Sequence, residues 1–318
     1  MLKHFHDMDD HKLRVFCTVA ETKSFSKASS IIHLSQPAVS LQVQALEEIY
    51  ETKLFDRSNN TVVLTSAGKL LYKYSKEILS LYANTEREIG KLTGLVKGSL
   101  TIGASSTIAN YLLPSVIADF RKTHPKTKIN MLVGNTKRVV DMLNSGYIDL
   151  GLVEGDVTRQ KIIVDKLVQD ELIPVMAPTH SWAGREAIPI SELAEEPFIL
   201  REEGSGTRQM IEKHLSKHGL SPQHMNISLI LGSTESIKAA VEQGMGISIL
   251  SRWAVRKEMH SETLKKASFS EVRLFRDFSI VHGKNSYFPH IFETFVEFIN
   301  QYPFDDLLSG KSGINPSA

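Results

Sequence analysis

Between positions 26 and 57 short apolar faces alternate with polar corners. Ala28, Ile31, Ile32 and Leu34 share one side of a short helix, Ser35 follows as a capping residue, and Val39, Val43 and Leu46 recur at helical spacing in the next segment. Pro37 suits the first turn of that second helix, where a missing N–H costs nothing and the fixed φ is already helical. The pattern predicts two helices meeting at a tight corner, with Gln36, Ala38, Ser40, Leu41, Gln42 and Gln44 on the outer surfaces. A supporting helix is expected over 11–22, with Leu13, Phe16, Cys17 and Ala20 inward. Positions 54–64 alternate and turn at Ser58-Asn59-Asn60, which predicts a two-stranded wing.

Ser66 opens a long helical stretch to about position 93. Ala67, Leu71, Tyr74, Ile78, Leu81, Thr85, Glu88 and Leu92 fall at alternating steps of four and three. At about 1.5 Å per residue such a helix is roughly 40 Å long, too long to hide in a small domain, so a partner chain is the expected cover. Past Gly94 and Gly98 the character changes. Short apolar runs at 100–103, 128–134 and 148–153 alternate with helical segments at 108–123 and 137–145, a βαβαβ order that calls for a parallel sheet covered by helices. A second set follows, with strands at 171–177, 198–201, 226–231, 246–251 and 272–282 and helices opening near 207, 234 and 290. The remaining residues, from about 304 to 318, have little to bury and are expected to form a flexible tail.

Composition narrows the classes of function. The 318 residues are 42% hydrophobic and 23% charged, which leaves room for two or three compact units. A net charge of +1 gives no basic signature for nucleic acid and none against it. The single cysteine, Cys17, lies in an apolar run and reads as a small buried hydrophobe. The polar first residues lack the apolar core of a secretory signal, and no stretch approaches a membrane span, so a cytoplasmic protein without membrane contact is expected. His214 and His218 stand one helical turn apart, but no third ligand completes a metal site. No Ser-His-Asp order can be assigned, Ser205 lacks hydrolase surroundings, and neither a P-loop nor a dinucleotide turn is present. No enzyme, no cofactor and no metal are therefore expected.

The chemistry of the second helix is suggestive. Gln can hydrogen-bond adenine bidentately, while small residues allow close approach to base edges and phosphates, although a plain helical hairpin shares the pattern. Phe25-Ser26-Lys27-Ala28-Ser29, Leu34-Ser35-Gln36-Pro37-Ala38-Val39-Ser40, Leu46-Glu47-Glu48, Leu54-Phe55-Asp56-Arg57 and Leu64-Thr65-Ser66-Ala67-Gly68 occur in that order. Together they resemble the winged helix-turn-helix of the LysR-type transcriptional regulators. The resemblance implies an N-terminal all-α winged helix-turn-helix over 1–65, a linker and dimerisation helix over 66–97, and a two-lobe α/β effector domain over 98–303. That last domain is similar to periplasmic solute-binding proteins, with crossings between lobes near 167–176 and 266–276. Ser35, Gln36, Pro37, Ala38, Ser40 and Gln42 would meet a pseudo-palindromic double-stranded DNA site, with Arg57 and Asn59 of the wing on the backbone. A homodimer or homotetramer and contact with RNA polymerase are further implied partners. A cytoplasmic solute-binding protein without a DNA-directed role is the alternative.

In an open α/β sheet ligands bind at the carboxyl ends of the strands, where helix N-termini present free N–H groups. Four turns here carry hydroxyl or amide side chains: Ser105-Ser106-Thr107, Asn135-Thr136, Ser205-Gly206-Thr207-Arg208 and Ser233-Thr234. Each could simply cap its helix, but converging they would hold a small anion. Two glycines around Ser205 allow close approach and Arg208 adds a bidentate cation, so a small oxyanion or phosphorylated metabolite is the expected effector. The stretch 200–208 is similar to one in LysR-type regulators of carbon fixation and inorganic sulfur metabolism. Glu154 ends a strand at the same rim and opposes an anion unless it pairs with Arg208 or takes up a ligand's proton. Three departures from the family pattern stand out: Leu41 and Gln44 replace basic residues, and Glu51 replaces a helix-ending Gly.

Overall fold

The computed structural model describes residues 10–32, 34–57, 61–93, 95–157, 162–284 and 288–309. The chain divides into two compact units. In the first, helices α1 (Asp10–Thr22), α2 (Phe25–Ile32) and α3 (Gln36–Ile49) enclose a core of Leu13, Phe16, Val39, Val43 and Leu46. These are the positions whose helical spacing points one way. Strands β1 (Phe55–Asp56) and β2 (Val63–Leu64) pair antiparallel, Phe55 opposite Leu64, as the wing; Asn59 and the expected turn at 58–60 lie outside the described residues.

Helix α4 (Ser66–Thr93) follows directly. Gly68 lets it start against the wing, since a Cβ there would sit 2.0 Å from the Leu54 carbonyl oxygen. The predicted stripe along α4 divides in two. Ala67, Leu71 and Ile78 pack on the core of their own domain, while Leu70, Tyr74, Leu81, Tyr82, Ile89 and Leu92 are exposed. The exposed apolar face is therefore rotated from the seam the four-and-three spacing predicted, because Ala67, Leu71 and Ile78 are already used at home.

In the second unit, β3 (Gly98–Ser105) leads to α5 (Ser106–Tyr111) and α6 (Leu113–Thr123). One continuous helix was expected over 108–123. Pro114 stands in the first turn of α6 and cannot donate, so the chain breaks at Leu112. Strand β4 (Thr127–Gly134), helix α7 (Thr136–Asn144) and β5 (Leu150–Glu154) complete the first βαβαβ set. Strands β3 and β5 are parallel, with Ala104 opposite Leu152.

Strand β6 (Ile162–Met176) is more than twice the predicted length. The second set contains β7 (Phe198–Arg201), α8 (Gly206–Ser216), β8 (Ile227–Leu231), α9 (Thr234–Glu242), β9 (Ser248–Ser251), α10 (Arg256–His260) and β10 (Lys265–Lys266). The return strand β11 (Leu274–Gly283) pairs antiparallel with β6 along its whole length and with β5 through its second half. The C-terminal part of β6 pairs instead with β9 and β10, so β6 and β11 run through both lobes. Trp182, Phe198, Ile249 and Leu274 anchor one core of the second lobe, and Ile199, Ile237 and Leu250 another. In the first lobe Phe295 of helix α11 (His290–Asn300) stacks edge-on against Phe120 at 5.1 Å. Residues Phe304–Ser309 then form a short helix, α12, with Phe304 buried beside Tyr302, where a frayed end was expected. One aromatic ring with a place to pack outweighs the polar composition around it.

Candidate functional sites

The first site is the outward face of α3. Ser35 caps the helix by accepting the Ala38 N–H at 3.3 Å, so the chain enters the first turn in a defined direction. Gln36, Pro37, Leu41, Gln44 and Glu48 are exposed, whereas Ala38, Ser40 and Gln42 are half-buried. The Gln42 side-chain oxygen is buried without a partner, and Gln44 is tied to Glu48 at 2.8 Å. Leu41, which sequence reasoning left out of the site, is 64% exposed in the middle of this face. The helix ends in a Schellman turn, with Glu51 N–H donating to the Glu48 carbonyl and Thr52 N–H to that of Glu47. Glu51 closes it at φ +48°, the left-handed conformation for which a glycine is the usual choice.

Glu47 fixes the wing to this helix. Its buried carboxylate accepts the N–H groups of Leu54, at 2.9 Å, and Phe55, at 3.4 Å, and pairs with Lys53 at 2.9 Å. Burial works against the charge, but Lys53 and the two backbone donors hold the carboxyl below the ordinary glutamate range. Arg57 lies over the Phe25 ring at 4.2 Å, and a groove of about 570 Å³ between helix and wing is lined by Ser40, Gln44, Glu47, Lys53 and Arg57. Cys17 is buried in this domain, and burial pushes its thiol up to about 12, which makes it a poor nucleophile.

The second site lies between the two lobes at the carboxyl ends of β3, β5 and β7. Thr136 at the start of α7 donates to the Glu154 carbonyl at 2.8 Å, and Gly206 packs so closely that a Cβ there would come within 1.9 Å of the same oxygen. Thr207 donates to Glu154 Oε1 at 3.0 Å and accepts from Arg276 Nη1 at 2.8 Å. Arg276 also pairs with Glu154 Oε2 at 3.0 Å and with Asp170 at 2.7 Å, and Ser251 donates to Asp170 at 2.9 Å. Glu154, Asp170 and Arg276 are all buried. Burial raises the Asp170 carboxyl to about 6, against the pull of Arg276 and Ser251, and the nearby Glu154 charge adds to the rise.

Of the four predicted turns, two bond to Glu154 on this floor, through Thr136 and Thr207. Asn135 and Ser205 spend side-chain oxygens capping their own helices, and Asn135 also bonds Glu202 and the Glu203 carbonyl across the lobes. The Lys137 N–H donates to the Gly204 carbonyl at 3.2 Å. Ser105 makes no cap, and the Ser105 and Ser106 hydroxyls are buried without partners; Thr107 is buried beside them in the chain. Ser233 and Thr234 find their partners elsewhere. Ser233 caps α9, and Thr234 accepts from Arg201, which grips Glu202 in a bidentate pair. Arg208 is engaged by Glu212 at 2.7 Å rather than by Glu154, at the edge of a cavity of about 500 Å³ lined by Thr136, Lys137, Gly204, Ser205 and Gln209. The cation that meets Glu154 is Arg276, 122 positions later in the chain and missed by sequence reasoning, as were Asp170 and Arg201. His214 Nε2 donates to the Phe275 carbonyl at 2.9 Å, and no metal-like cluster is found among the described residues.

Two family models match the chain. The model of the bacterial regulatory helix-turn-helix protein, lysR family, matches residues 11–69, and that of the LysR substrate binding domain matches residues 93–303. The chain is 35% identical to the HTH-type transcriptional regulator CysL of Bacillus subtilis, over 85% of this chain and 90% of that one. It is 36% identical to the RuBisCO operon transcriptional regulator of Allochromatium vinosum, over 80% and 82%. The solved CcmR regulatory domain of Synechocystis, in complex with 2-PG, superposes with a TM-score of 0.60 at 26% identity, covering 64% of this chain and 96% of the other. No helix among the described residues is long and apolar enough to cross a membrane.

Proposed function

The chain belongs to the LysR family of transcriptional regulators, with a DNA-binding and an effector-binding domain, and on that footing we propose which surfaces do the work. The exposed first turn of α3, led by Gln36 and Pro37 and continued by Leu41, enters the major groove; Ser35, Ala38 and Ser40 approach the backbone and base edges, and Arg57 of the wing takes a phosphate. Family members bind DNA as oligomers, and the apolar face of α4 at Leu70, Tyr74, Leu81, Tyr82, Ile89 and Leu92 is the surface on which two copies of this chain join. Such a dimer reads a pseudo-palindromic site in the cytoplasm and presents itself to RNA polymerase as a regulator, not as an enzyme.

The effector is a small oxyanion or phosphorylated metabolite held between the lobes. One observation carries this reading: Ser105 Oγ, Ser106 Oγ and Arg276 Nη2, three buried atoms on β3, α5 and β11, have hydrogen-bonding capacity that no protein group uses. Buried donors are normally paired, so their convergence at the strand ends supports a ligand with several acceptor oxygens. The CcmR domain in complex with 2-PG supports the same class. A ligand that prefers one arrangement of the lobes shifts the DNA-bound dimer by its differential affinity alone. Anisotropy titration of the chain's own promoter DNA, with and without small phosphorylated acids at millimolar concentration, tests the coupling. A shift in DNA affinity is expected; unchanged binding with every anion overturns the effector assignment.

A further inference from the structure

We infer that Glu154 selects for an oxyanion that carries its own proton, a phosphate monoester in its monoprotonated form, by accepting the ligand's O–H at Oε2. The inference rests on the oxyanion reading above and specifies which oxyanions the site takes.

The arrangement of unused polar atoms carries it. Strand β5 lies between β3 and β11 in the sheet, so Ser105, Glu154 and Arg276 stand on three neighbouring strands at one edge. Three donor atoms here are buried without a hydrogen-bond partner, Ser105 Oγ, Ser106 Oγ and Arg276 Nη2, and Glu154 Oε2 accepts no hydrogen bond although it lies 3.0 Å from Arg276 Nη1 in an ion pair, which leaves it a lone pair to accept with. The hydroxyls and the guanidinium nitrogen can donate. An ionised carboxylate oxygen can only accept, and the other oxygen of Glu154 is already taken by Thr207. The set is therefore complementary to a ligand with several acceptor oxygens and one hydroxyl. A tetrahedral oxyanion without a proton would turn a lone pair toward Oε2, which is repulsive in a site this deeply buried.

Charge balance points the same way. Arg276 faces two carboxylates, Glu154 and Asp170, so the floor carries one net negative charge when both are ionised. The two arginines nearest in the chain to Ser205 are engaged elsewhere, Arg208 by Glu212 and Arg201 by Glu202. Burial, to which the Glu154 charge adds, raises the Asp170 carboxyl, so this floor disfavours charge that arrives without a partner. A ligand that brings a proton to Glu154 adds less repulsion than one that brings none, and the difference separates phosphate esters from sulfate and its esters.

Methyl phosphate and methyl sulfate have the same shape and differ at about pH 5 by the proton that the phosphate ester largely retains, its second ionisation lying near 6. Calorimetric titration of the full chain with each is expected to show methyl phosphate binding roughly 100-fold more tightly. Glu154→Gln keeps the size and the Thr207 contact but can turn an N–H toward the ligand. In that variant methyl sulfate should gain and the ratio should fall to about tenfold or less. Equal binding of the two anions by the natural chain, or an unchanged ratio in a folded Glu154→Gln, overturns the role of Glu154 while leaving an oxyanion site standing. Binding of neither anion to the folded protein overturns both that role and the oxyanion reading. If the variant does not fold, the ratio measured on the natural chain decides alone.

Discussion

The outward face of α3 and the floor between the lobes solve opposite problems with similar residue types. On α3 the groups proposed to read DNA lie close to one another in the chain, and the exposed ones, Gln36, Pro37 and Leu41, cost little to hold in place. The floor gathers Ser105, Glu154, Thr207 and Arg276 from four separate elements and buries them, so every group must be paired or its desolvation is uncompensated. The first surface can change its specificity by single substitutions without loss of the fold. In the second, chemistry and stability are the same set of bonds.

The largest effect expected from that difference is at Arg276. Arg276→Met removes the one cation shared by Glu154 and Asp170 and leaves two buried carboxylates facing each other, so the effector domain should lose about 3–5 kcal/mol in urea titration. A loss below about 1 kcal/mol would mean the floor is solvated like the face of α3, and the contrast would collapse. The pH dependence sharpens the same point. Asp170 has a folded pKa raised from 3.8 to about 6, so its stabilising contribution is complete below about pH 4 and is lost as pH rises through 6. Asp170→Asn should flatten thermal stability between pH 4.5 and 7, and an unaltered profile would show that another group titrates there.

On the exposed side, charge placed on the free face of α4 should act on assembly without unfolding either domain. Leu81→Glu with Leu92→Glu puts carboxylates on two of its most exposed apolar positions. Sedimentation is expected to show a shift toward monomer with an unchanged circular dichroism spectrum, and an unchanged assembly would assign the interface elsewhere. Smaller effects are expected at the DNA surface. Gln36→Ala should cost about 1–3 kcal/mol at preferred sites and relax their base preference. Arg57→Ala should weaken all sequences alike and reduce the salt slope by about one. If the two variants behave identically in competition binding, the division between base reading and phosphate contact is wrong.

The smallest expected change is a gain. Glu51 holds a left-handed conformation at the end of α3, where a side chain costs about 1 kcal/mol relative to glycine. Glu51→Gly should raise the stability of the winged domain by up to about 1 kcal/mol, measured by thermal melting. Any loss would mean that the Glu51 side chain makes a compensating contact.

The amino-acid sequence by itself determined what depends on neighbours within a few residues. The spacing of Val39, Val43 and Leu46 set the inward face of α3, Ser35 and Pro37 its start, and the alternation of apolar runs with capped segments the α/β order of the second unit. Periodicity and capping are local, so they can be read before the chain is folded. The tertiary structure decided the rest. It turned Ala67, Leu71 and Ile78 of α4 toward their own domain, gave Phe304 a place to pack, and engaged Thr234 with Arg201. It also chose Arg276 over Arg208 as the partner of Glu154 and left the Ser105 hydroxyl free when Asn135 and Ser205 became caps. Which charges meet depends on where distant strands end, and a pairing across 122 positions leaves no mark in the spacing of residues along the chain.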